Sequence, residues 1–201
     1  MSAATDEGRF EAALTRFQAA HREDPRSIEV EGAEVPWSLR YHDRLRHWVD
    51  ALAPDASEPL RLAAACQHIR RWEVPRSNYD EGRAGYKRWR SELAQRHARI
   101  AREILEGVGY DEDTIARVEQ LLKKIGLARD PEVQTFEDAI CMVFFELDFV
   151  DLAAKHDDQK IIDVLHRTWG KMSPAGHRAA LDLTSTLPAR ERALVEAAVS
   201  G

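Results

Sequence analysis

The stretch from Leu60 to Ile69 is apolar around almost its whole circumference. Only Arg61 interrupts it before Gln67 and His68. A helix of that pattern has no face to give to solvent and must sit at the centre of a fold with other elements packed around it. Ser57-Glu58-Pro59 opens it, with serine in the capping position and proline in the first turn. A second such segment follows Asp130-Pro131 and carries Phe136, Ile140, Val143, Phe144, Phe145, Leu147, Phe149 and Leu152. A chain that buries two helices on all sides needs further helices to cover them.

Those helices are legible. Phe10, Ala13, Leu14 and Phe17 recur at the spacing of one helical face, ending before Asp24-Pro25. Tyr41, Leu45, Trp48, Val49 and Leu52 mark a helix between Pro36 and Pro54. A long helix is predicted from Tyr86 to Val108, and another from the Asp111 cap to Gly126, bearing Ile115, Val118, Leu122 and Ile125. Three more are expected: around Ile161 to Trp169, after Ser173-Pro174 and after Pro188. Residues 71–85, with Pro75, Gly82 and Gly85, show no periodicity and read as a loop. The sole strand signal is the alternation of Ser27 to Val35 around Glu31-Gly32, which predicts a small β-hairpin. With no repeat, low-complexity tract or long linker, residues 1–201 are expected to form a single all-α helical domain with one hairpin.

Composition narrows the function classes. The formal net charge is −6, which excludes a polybasic protein that coats nucleic acid with its whole surface. Met1 to Arg9 has no apolar stretch behind a basic start, and the longest apolar run, Ala139 to Phe145, is far short of the roughly 20 residues of a membrane span. A soluble, cytoplasmic protein with no membrane partner is expected. Cys66 and Cys141 lie far apart among apolar neighbours and read as reduced core residues rather than a disulfide or thiolate site.

Two features carry potential chemistry. The first is polar residues on core-facing stripes. His97 shares its stripe with Trp89, Leu93, Ile100 and Ile104, and Gln67 lies on the face of Leu60, Ala63 and Ala64, with His68 at its edge. Glu137 shares a face with Val133, Ile140, Cys141 and Phe144, and Asp138 follows it. Buried imidazoles and carboxylates need partners. They either satisfy one another or hold a divalent metal that activates water, with His68, His97 and Asp138 as ligands and His68 and Glu137 as catalytic groups. One manganese, iron or zinc ion is the cofactor this would require.

The second feature is charge segregation. Residues 67–102 sum to +6 and all others to −12, with Trp72, Tyr79, Tyr86 and Trp89 interleaved among the cations. A positive loop directly after Gln67-His68 suits a phosphate or carboxylate, since arginine offers a planar fork for bidentate contacts. Arg70, Arg76, Lys87, Trp72 and Gln67 are the candidate substrate-binding residues, and an anionic small molecule is the expected partner, with RNA the alternative. Oligomeric state has no signature here.

The strings Cys66-Gln-His-Ile-Arg-Arg-Trp-Glu-Val-Pro-Arg76, Gly85-Tyr-Lys-Arg-Trp89, Gln134-Thr-Phe-Glu-Asp138 and Thr168-Trp-Gly-Lys-Met172 resemble those of an uncharacterised family of small proteins sometimes labelled glutamyl-tRNA synthetase-like. The resemblance spans nearly the whole chain and implies no activity. Its pattern includes Gln67, His68, Arg70, Trp72, Pro75, Arg76, Tyr79, Trp89, His97, Glu137, Asp138, Lys155 and His156, and does not include His42. More distantly, the helix order is similar to the HD superfamily of metal-dependent phosphohydrolases. His42 falls early in one helix, a doublet closes the next, His97 lies on the following helix and Asp138 on a later one. The doublet here is Gln67-His68 where that family has His-Asp. This resemblance implies an HD-like arrangement and metal-dependent hydrolysis of a phosphorylated or nucleotide-like molecule. The competing expectation is a noncatalytic module that binds a nucleotide or RNA through residues 67–102.

Overall fold

The computed structural model describes residues 6–199. Among them are ten α-helices and one hairpin, so the fold is all-α with a small two-stranded sheet. The helices are α1 (Asp6–His21), α2 (Trp37–Leu52), α3 (Glu58–Cys66), α4 (Gly82–Glu106) and α5 (Glu112–Leu122), then α6 (Pro131–Val143), α7 (Phe149–Ala154), α8 (Asp158–Trp169), α9 (Pro174–Thr184) and α10 (Ala189–Val199). Strands β1 (Ser27–Val30) and β2 (Ala33–Pro36) pair antiparallel with Ile28 opposite Val35. Their two-residue turn places Glu31 at φ 52° and Gly32 at φ 82°, the primed geometry that matches strand twist.

The chain divides into two compact units. One contains the described residues up to Arg46 together with Asp55–Ile125; the other contains His47–Pro54 and the chain from Gly126 onward. In the first unit α3 is central, packed by α1 and α5, and Leu60, Leu62, Ala63, Ala64, Ala65 and Cys66 are all buried. Ser57 Oγ accepts from Leu60 N at 3.3 Å, as its capping position predicts. In the second unit Phe145, Phe149, Ile161, Leu165 and Val195 form the core, with Trp48 and Leu52 from the end of α2 against it.

Three helices depart locally from expectation, two of them for visible physical causes. The apolar segment after Pro131 is not one helix: between α6 and α7 the backbone widens into a π-turn at Phe144–Asp148. There Trp48 Nε1 donates to Glu146 at 2.8 Å, and the Phe145 and Phe149 rings meet edge to face. The fourth helix starts at Gly82, four residues before the predicted Tyr86. The fifth ends at Leu122 rather than running to Gly126, because Lys124 takes a left-handed conformation with φ 55°. Within residues 71–85 the expected loop contains two 3₁₀ turns, Arg71–Glu73 and Arg76–Asn78. Among the described residues no helix is long and apolar enough to cross a membrane.

Candidate functional site: a histidine cluster beside a cationic cleft

The first unit brings four histidines together from four segments. His21 ends α1, His42 lies in the first turns of α2, His68 follows α3 and His97 sits in the middle of α4. The His21 and His42 rings stack with centroids 3.7 Å apart, and the His68 and His97 rings lie 5.6 Å apart. Tyr41 contacts both His42 and His68.

Hydrogen-bond partners fix most of the tautomers. His21 Nε2 faces the Ala65 carbonyl at 2.8 Å and must donate, leaving Nδ1 to accept from Ser38 Oγ at 3.1 Å. His42 Nδ1 donates to the Ser38 carbonyl at 2.6 Å, and its Nε2 accepts from the backbone N–H of His68 at 3.2 Å. Both rings are fully used. His68 differs: Arg71 Nη1 approaches its Nε2 at 3.4 Å, and since a guanidinium only donates, the ring proton belongs on Nδ1. That Nδ1 is buried with no hydrogen-bond partner in the protein, as are His97 Nε2 and Gln67 Oε1.

The residues that carry these buried atoms line a cleft of about 420 Å³ whose charged lining is Arg71, Arg90, Lys123 and Lys124, with no carboxylate in the lining itself and Lys123 paired to Glu119 at 3.0 Å. Arg71 is held in place by its guanidinium lying over the Trp89 ring at 4.8 Å, while Trp89 Nε1 donates to the Val74 carbonyl. Burial, and then the Arg71 and Arg90 charges, push the His97 imidazole down to about 3. Burial, then Arg71, His97, His42 and Arg90, hold His68 well below its ordinary value. Both rings are therefore neutral at physiological pH. The cleft offers cations and the His68 ring N–H, the complement of an anion rich in oxygen, and the Gln67 carbonyl oxygen as an acceptor for a hydroxyl.

Of the residues singled out from sequence, Gln67, His68 and His97 meet here. The others do not line the cleft. Arg70 takes a left-handed turn at φ 52° and pairs with Glu23 at 2.9 Å, away from its neighbour Arg71. The Arg76 guanidinium is consumed by the Tyr79 and Asp80 carbonyls at 2.8 and 2.7 Å, so it fastens the loop. Lys87 is exposed on α4, and Trp72 lies in the first 3₁₀ turn. Glu137 and Asp138 belong to the second unit. Glu137 is buried with Lys171 Nζ at 3.5 Å. The Asp138 carboxylate accepts from Ser173 N at 2.8 Å, from Ser173 Oγ and from Gln134 Nε2 at 3.1 Å.

The metal set expected from the sequence draws His68 and His97 from the first unit and Asp138 from the second. Among the described residues no three of His, Cys, Asp and Glu stand together so as to hold a metal ion. The cations facing His68 and His97 would also oppose a divalent ion. Sequence reasoning placed Arg71 and Arg90 only within the basic segment 67–102 and His42 only through the distant resemblance, and it missed Lys123 and Lys124 in the cleft and His21 behind it.

Fold and cleft together define an all-α protein with a histidine-lined, cationic cleft in its first unit. The chain belongs to the family described as Domain of unknown function (DUF4202), whose pattern matches residues 11–195. No curated protein and no solved structure matches it.

Proposed function

We propose that the cleft between Gln67, His68 and His97 binds a phosphorylated small molecule and that its two neutral imidazoles exchange protons with that ligand. The observation that carries this reading is that the three residues with unpartnered buried polar atoms line one cleft with Arg71 and Arg90, and no carboxylate lies in that lining. A phosphoryl oxygen would accept from His68 Nδ1–H and from Arg71, while a ligand hydroxyl would donate to Gln67 Oε1. Burial and, after it, the neighbouring cations keep both rings neutral; negative charge in the cleft offsets the cations, so binding favours proton uptake by His68 or His97. A proton held there would pass to the leaving oxygen as water attacks phosphorus and the phosphorus–oxygen ester bond breaks, with the attacking water's proton taken up by the second imidazole, which is how this site would support hydrolysis of a phosphate ester.

Calorimetric titration with inorganic phosphate and with a nucleoside monophosphate tests the reading. Wild-type protein is expected to bind, and Arg71→Ala to bind at least tenfold more weakly, in line with about 1.5–3 kcal/mol for a hydrogen bond to a charged group. Titration in two buffers of different ionisation enthalpy should reveal net proton uptake. Equal affinity in wild type and Arg71→Ala would overturn the assignment. A stoichiometric divalent ion retained by wild type and lost from His97→Ala would instead favour the metal-dependent hydrolase.

A further inference from the structure

A second cleft of about 310 Å³ opens in the first unit on the other side of the histidine cluster. Its walls come from α1, α2 and the hairpin: Leu14 and Phe17 on one side, Leu39 on another, and Val30 and Val35 of the two strands above. His21 and His42 form its inner wall, and every ring nitrogen of that pair is already engaged by Ala65, Ser38 or His68. The imidazoles of this cleft therefore make no polar demand on a ligand, unlike those of the first, and apart from Gln18 its uncharged lining suits an apolar body.

Its charged lining is one-sided. Arg22, Arg40 and Arg46 border it against a single acid, Asp43, which Arg40 already approaches at 3.4 Å. Arg22 and Arg46 make no ion pair among the described residues, and Arg46 is half-buried. Unpaired guanidinium groups beside an apolar cavity match a planar carboxylate carried on a hydrocarbon body. The volume lies at the lower end of the range for small-molecule sites, which excludes large cofactors.

We infer that the cleft beneath the hairpin is a second binding site, taking a small amphipathic carboxylate with its apolar part against Leu14, Phe17 and Val35 and its head at Arg22 and Arg46. The site is independent of the phosphoryl cleft in composition. The hairpin supplies one wall and has only two four-residue strands, so ligand binding is also expected to stabilise it.

Octanoate and its uncharged counterpart octanol are the probes. Octanoate is expected to bind wild-type protein saturably and to slow amide hydrogen exchange across residues 27–36. Arg46→Glu should weaken octanoate at least tenfold and leave octanol unchanged, whereas Leu39→Trp, which fills the cleft, should remove both. Circular dichroism and phosphate titration of each variant show that fold and first cleft are intact. Octanoate that binds wild type and Arg46→Glu equally, or that binds without slowing exchange in the hairpin, would overturn the inference. Neither result bears on the phosphoryl cleft, which is read by phosphate alone.

Discussion

At the scale of single residues, Gln67 distinguishes a binding group from a structural one. A buried amide oxygen with no partner costs the fold desolvation that nothing in the protein returns. Gln67→Met keeps the volume and removes that cost, so the variant is expected to unfold at an equal or higher temperature while binding phosphate esters more weakly. A lower melting temperature with unchanged binding would make Gln67 a packing residue. His97 was legible in the sequence because a regular helix repeats its apolar stripe, and the structure buries it beside Trp89 and Leu93. The same stripe logic reaches His21, four residues beyond Phe17, and His42, three before Leu45, so their burial had a signal. Of the cleft cations, Lys123 and Lys124 had none, and Arg71 and Arg90 had only their place in the basic segment 67–102. Arg71 faces the site and Arg70 does not because Arg70 adopts a left-handed backbone without being glycine, which no pattern announces. Lys123 and Lys124 reach the cleft only through the packing of α4 against α5.

At the scale of elements, the pair Glu137-Asp138 shows how an inward carboxylate can be structural. Asp138 receives both the backbone N–H and the hydroxyl of Ser173, and the same hydroxyl caps α9 by accepting from Ala175 N and Gly176 N. Gly176 allows this approach: a Cβ there would lie 2.7 Å from Asp138 Cγ. Gly176→Ala would drive the carboxylate off Ser173 and is expected to cost about 1–3 kcal/mol in urea unfolding, the usual penalty for overpacking. Gly170→Ala is the control, since a Cβ there meets only the His166 carbonyl at 3.4 Å. Asp138→Asn should likewise lower the unfolding midpoint and leave phosphate affinity unaltered. Loss of phosphate binding at an unchanged midpoint would return Asp138 to the site. Caps and starts of such helices were legible because Ser57, Asp111, Asp130 and Ser173 act locally. The π-turn after α6 was not, because it answers to Trp48 and to the packing of Phe145 and Phe149 rather than to a local repeat.

At the scale of the whole molecule, the histidine cluster links folding to pH. Burial lowers His21 to about 4 and His97 to about 3, and lowers His42 and His68 as well, so all four bind protons less readily folded than unfolded. In the unfolded chain they titrate near 6.5. Above that value neither state carries these protons and stability is complete. As pH falls through about 6.5 toward the folded values, the unfolded state gains protons that the folded state refuses, and stability declines. Urea unfolding measured between about pH 7 and about pH 5 should show a falling midpoint, with unfolding taking up more than one proton near the acid end. Most carboxylates titrate below this window, so the slope belongs to the histidines. Phosphate should counter the decline, because its charge in the first cleft raises the affinity of His68 and His97 for a proton, and its protection should be larger near pH 5.5 than near pH 7.5 by linkage. A midpoint that stays flat across the window would mean that the cluster is protonated or solvated in the folded state. Phosphate protection independent of pH would separate the anion from the two imidazoles and leave the cleft a binding site without proton transfer.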